Sequence, residues 1–124
     1  MDVTESVLED LRDLCTEYYR DEAANIRAVV LYGGAAKNFV GQDHAPGDFD
    51  LNIFFSDRSS VSSTYGMPKI IGEYGGLKVE VMRNKVPEEM SIERYVETRG
   101  SKRWKRIREE PAVQVYPEIT RLSW

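Results

Sequence analysis

Between Leu31 and Phe55 the chain reads LYGGAAKNFVGQDHAPGDFDLNIFF, and no other stretch restricts the possible folds as much. An apolar run, Ile26–Tyr32, ends on Gly33-Gly34. A further 13 residues lead to Asp48, which opens a second apolar run over 48–55. Side chains alternate between the two faces of a strand. Phe49, Leu51, Ile53 and Phe55 therefore share one face, and Asp48, Asp50 and Asn52 the other. The same parity recurs over 77–83, where Leu77, Val79 and Val81 oppose Lys78, Glu80 and Met82. Two aspartates thus point away from the core on one strand, and a glutamate does so on another.

The rest of the chain supplies helices and at least one more strand. Residues 3–20 place Val7, Leu8, Leu11, Leu14, Cys15, Tyr18 and Tyr19 at helical spacing on one apolar face, with Asp2 or Thr4 available as the cap. Cys15 lies on that face and reads as a packing residue. A short helix is expected over 35–40 and a loop over 41–47. The serine-rich stretch 57–68 reads as a second loop. Gly75-Gly76 between 70–74 and 77–83 suits a two-residue hairpin. The competing reading of 68–74 is a helix opened by Pro68 and capped by Gly75. Helices are expected over 91–98 and 101–109, and Ala112–Tyr116 is either a strand or an extended tail. Tyr18, Tyr19 and Trp104 read as core or helix-packing residues. Together these elements predict an α+β fold: a small twisted sheet of three to five strands, mixed or antiparallel, with helices on one face and the acids on the open side.

With 124 residues the chain is expected to form one domain. No run is apolar for long enough to span a bilayer, and the acidic, amphipathic N-terminus reads as neither a signal nor a transit peptide. The lone cysteine excludes an internal disulfide and fits a cytoplasmic location. A net charge of −4 argues against a general nucleic-acid coat, yet 99–108 (RGSKRWKRIR) is strongly basic. Lys102, Arg103, Lys105, Arg106 and Arg108 hold a nucleotide tail, RNA or an acidic partner, or else form a solvated helix face broken by Trp104 and Ile107.

Hard carboxylate oxygens in pairs suit magnesium, which keeps phosphate oxygens and waters as its other partners. Two such ions can clamp an in-line phosphoryl displacement. In that arrangement Asp48 and Asp50 bridge both ions. Glu80 completes one of them and helps to deprotonate the attacking hydroxyl. Gly33-Gly34, at the mouth of a short helix, would offer backbone N–H groups to a phosphate. A calcium loop starting at Asp48 fails, because Ile53 stands where glycine is required and Ser59 where glutamate is required. A sugar-nucleotide transferase would need a larger domain. His44, the single histidine, sits in the loop before the acids and reads as an exposed loop residue within reach of a phosphate.

An apolar residue, Gly-Gly, 13 residues, Asp-Phe-Asp-Leu and a later Val-Glu-Val resemble the DNA polymerase beta-type nucleotidyltransferase superfamily over about residues 26–83. Chain length points to its minimal, antitoxin-like members. Where that subgroup usually carries serine, arginine and glycine, this chain has Gly34, Lys37 and Asn38. Lys37 can still meet a phosphate as a point charge, without the bidentate fork of arginine. The resemblance implies transfer of a nucleoside monophosphate, AMP from ATP, to an acceptor hydroxyl. Its site residues would be Asp48, Asp50 and Glu80 for metal and catalysis, with Gly33, Gly34, Lys37 and Asn38 for nucleotide. It further implies one or two magnesium ions and completion of the site by a HEPN-type toxin partner or a second copy. The alternative is a protein of the same fold that acts by binding without turnover.

Overall fold

The structure is a computed structural model that describes residues 1–63 and 68–123. Helix α1 spans Glu5–Tyr18, and the Thr4 hydroxyl accepts from the Val7 N–H at its start. A 3-10 segment, Arg20–Asn25, leads into β1, Ile26–Tyr32. Helix α2, Gly34–Phe39, follows at once, and β2 spans Phe49–Ser56. Strands β3, Lys69–Tyr74, and β4, Leu77–Val86, form the expected hairpin. Gly75 and Gly76 have φ of 57° and 81°, the paired left-handed turn that a two-residue hairpin demands. The helix reading of 68–74 is thereby excluded. Helices α3, Ile92–Glu97, and α4, Lys102–Glu109, precede β5, Ala112–Tyr116, and β6, Thr120–Leu122.

The described strands form one sheet in the order β3-β4-β2-β1-β5-β6. Every neighbouring pair is antiparallel except β2 and β4, which run parallel. Six strands exceed the expected three to five. Ala112–Tyr116 is a true strand, and the three-residue β6 is too short to show a period in sequence. Residues 64–67 of the expected 57–68 loop lie outside the described residues. The part preceding them is latched to the 3-10 segment, where the Glu22 carboxylate accepts from the Ser59 hydroxyl at 3.1 Å and the Ser60 N–H at 2.6 Å. The Ser60 hydroxyl and the Asn25 side-chain amide, with those two donors behind them, lower the Glu22 carboxyl to about 2. Among the described residues no helix is long and apolar enough to cross a membrane.

Helices cover both faces, which corrects the expectation of one. On the first face α1 and α2 bury Val7, Leu8, Leu11, Cys15, Ala35 and Ala36 against the Phe49, Leu51, Ile53 and Phe55 row. Burial pushes the Cys15 thiol up to about 12, as suits a packing residue. Tyr19 is buried there, whereas Tyr18 is exposed under the Lys69 ammonium. On the second face α3 and α4 place Tyr95, Val96 and Ile107 against Ala28, Val30, Phe54 and Val86. Phe54 is fully buried, with the Tyr95 and Trp104 rings 6.1 Å and 6.2 Å from it. This second layer lies on the same side of the sheet as Asp50, so the acids face a partly roofed cleft.

Candidate functional site

Strand register assembles the site. Tyr32 of β1 pairs with Asp50 of β2, and Asp50 pairs with Glu80 of β4. Parallel pairing of β2 with β4 sets Asp50 beside Glu80 on one face, and their side chains share a hydrogen bond. Two carboxyl groups can do so only through a retained proton. Asp50 is accordingly pushed up to about 6, first by burial, then by that hydrogen bond and by the charges of Glu80 and Asp48, with Arg106 opposing.

Gly33 forms the rim. It caps α2 with φ 76° and ψ −153°, a region that is nearly closed to residues with a side chain. A Cβ built there would lie 3.1 Å from Asp50 Oδ2, so the glycine backbone faces the carboxyl directly. Gly33→Ala should cost about 1–3 kcal/mol of stability and push the Asp50 carboxyl aside. Gly41→Ala is the control, since φ there is 92° but nothing lies within 4 Å of a built Cβ. It should carry the strain and leave ligand binding intact. Urea denaturation of both variants checks this, and wild-type stability in Gly33→Ala would sink it.

The other expected phosphate contacts are engaged elsewhere. A Cβ on Gly34 would meet His44 Cδ2 and Nε2 at 2.7 Å, so the imidazole rests on this glycine. The Asn38 Nδ2 donates to the His44 carbonyl at 2.8 Å, and its Oδ1 accepts from the Val3 N–H at 2.7 Å. Asn38 thus ties the N-terminus and the 41–47 loop to α2. Lys37 Nζ lies 3.5 Å from Glu110 Oε1, and Arg106 Nε lies 3.6 Å from the same oxygen.

The basic segment divides by side chain. Arg103 and Arg106, one turn apart on α4, line a cleft of about 270 Å³ with Tyr32, Gly33, Asp50, Pro68 and Glu80. Arg108 turns inward, donating to the carbonyls of Val96 at 2.8 Å and Arg99 at 2.6 Å. Lys102 and Lys105 are exposed and do not line the cleft, whereas Arg106 is exposed at its edge. Half-buried Tyr32 is pushed up to about 12, chiefly by desolvation and then by Asp50, so its phenol is neutral.

Asp48 precedes β2 and is exposed, reaching Asp50 through space only. Among the described residues no three His, Cys, Asp or Glu side chains converge tightly enough to hold a metal ion. The expected three-carboxylate, two-ion cage is therefore not assembled, whereas the Asp50–Glu80 pair is. A pair suffices for magnesium that takes its other ligands from phosphate and water, so these residues fit one such ion.

The chain matches no family model, no curated protein and no solved structure. Sequence reasoning missed Tyr32 and Glu110. Tyr32 was legible, because it shares the parity of Val30 and ends the strand just before the glycines. Glu110 had no local signal, since it meets Lys37 only because the fold brings β5, which it precedes, next to α2.

Proposed function

We propose that this protein binds a nucleoside triphosphate with magnesium and transfers the nucleoside monophosphate, AMP from ATP, to a hydroxyl on a partner macromolecule. The observation that carries the reading is the hydrogen-bonded Asp50–Glu80 pair set against the bare backbone of Gly33. A carboxyl that keeps its proton beside a second carboxyl, as Asp50 does beside Glu80, forms a site in which a divalent cation can replace that proton. Bound there, magnesium would neutralise charge on the phosphates and on the leaving pyrophosphate. Asp50 and Glu80 would hold it, and Gly33 leaves room for a phosphate beside them. As the acceptor oxygen forms its bond to the α-phosphorus and the bond to pyrophosphate breaks, Glu80 would take the hydroxyl proton.

A cleft of about 270 Å³ falls below the range that encloses a drug-sized ligand. The base and the acceptor therefore need walls from elsewhere, which favours a partner such as a HEPN-type toxin, or a second copy. A second reading, binding without turnover, is favoured by the engagement of Lys37 with Glu110 and by the exposed position of Asp48.

The test uses ATP labelled at the α-phosphate, magnesium, and the protein with and without candidate partners. Saturable binding that EDTA abolishes is expected, with label appearing covalently on the partner. Binding without label transfer would select the second reading, and binding indifferent to EDTA would overturn both.

A further inference from the structure

The cleft holds two carboxyl groups on its floor and two guanidinium groups on its wall, yet the opposite charges do not pair. Among the described residues Arg103 forms no ion pair, and Arg106 meets only Glu110, through Nε. Arg106 influences Asp50 through space alone. Side chains placed merely to neutralise one another would be expected to close to contact, because a bidentate arginine–carboxylate pair is among the stronger polar contacts available. Here the two signs are held apart by strand register on one side and by helix packing on the other. Trp104 and Ile107 anchor α4 to the second core cluster, and that anchoring turns positions 103 and 106 toward the cleft.

We infer that Arg103 and Arg106 are the residues that grip the phosphate chain of the ligand, making α4 the principal phosphate-binding element of this site. The inference rests on the proposed function and adds to it the groups that hold the substrate's anionic tail. A phosphate chain chelated to a cation presents both signs at once. Its metal end suits Asp50 and Glu80, and its terminal oxygens suit two guanidinium forks. The neutral Tyr32 phenol beside them offers a further donor. The Gly34 side of α2 is less available, because the His44 ring rests on it and Lys37 is engaged by Glu110.

The experiment titrates the full chain, by calorimetry with magnesium present, with inorganic tripolyphosphate, ATP and adenosine. Arg103→Gln with Arg106→Gln is compared with Lys102→Gln plus Lys105→Gln, which removes equal charge from positions of the same helix that do not line the cleft. Each arginine should account for about tenfold of tripolyphosphate and ATP affinity. The lysine pair should change it by less than about threefold, since screened surface charges contribute little. Thermal melts confirm that both variants remain folded.

Equal losses in the two double variants, or no loss in the arginine pair, would overturn the inference, as would a wild-type protein that binds neither polyphosphate. Loss of binding to an RNA oligonucleotide with tripolyphosphate affinity unchanged would overturn it in favour of an RNA contact. Arginine-dependent binding that ignores magnesium would sustain this inference while refuting the proposed function. Magnesium-dependent binding that ignores the arginines would do the reverse.

Discussion

Asp50→Asn combined with Glu80→Gln is expected to lower magnesium-dependent nucleotide affinity by at least about 100-fold, because neutral amides cannot replace charged oxygen ligands. The same change should stabilise the ligand-free protein at pH 8. Asp50 titrates near 6 in the folded chain against 3.8 for the free side chain. The folded state therefore holds its proton more tightly than the unfolded state. Stability from this group is fully present below about pH 4 and is lost as pH rises through about 6. A shift of that size corresponds to about 3 kcal/mol, reduced to about 1–2 kcal/mol for a half-buried group screened by solvent. The variant should lack this loss, so its melting temperature should exceed that of the wild type at pH 8 and match it near pH 4. Magnesium with nucleotide should raise the wild-type melting temperature at pH 8 and leave the variant unmoved. Retention of magnesium-dependent nucleotide affinity in the double variant would refute the site.

Phe54→Ala carries the largest expected cost in stability. The ring is fully buried between the sheet and the Tyr95 and Trp104 rings, so its removal loses aromatic contacts and leaves a cavity. A loss of about 3–5 kcal/mol is expected, a large share of the roughly 5–15 kcal/mol that holds a domain together. Phe54→Leu keeps most of the volume and should cost less than about 2 kcal/mol. The damage should concentrate in α3 and α4, whose amides should lose protection from hydrogen exchange before those of α1. Tripolyphosphate affinity should fall with it, since Arg103 and Arg106 are positioned by that layer. A urea-denaturation loss under about 1 kcal/mol for Phe54→Ala would show that the second layer does not depend on this contact.

Phe54 also shows where sequence reading was too coarse. The alternation in β2 is clear from Asp48 to Ile53, and it separates acids from core residues correctly. Phe54 then puts a large apolar group on the acidic face, while β1 reads Ala28-Val29-Val30-Leu31 without a break. A strand apolar on both faces is buried on both faces. Those two features imply a second helical layer, which the parity of the acids alone does not reveal.

The sequence by itself determined the elements whose causes are local. Helix α1 follows from its apolar spacing and the Thr4 cap, the β3–β4 hairpin from Gly75-Gly76, and the turn at Gly33 from a backbone conformation that glycine alone adopts easily. It also determined which acids leave the core, because parity within one strand needs no knowledge of its neighbours. Only the tertiary structure decided what stands next to what. Parallel pairing aligned Asp50 with Glu80 and left Asp48 outside. The docking of α4 divided five basic residues into two that line the cleft, one that braces α3 and two that lie away from both. Register between distant strands and the rotation of a docked helix are set by the packing of surfaces far apart in sequence, and no local pattern encodes them.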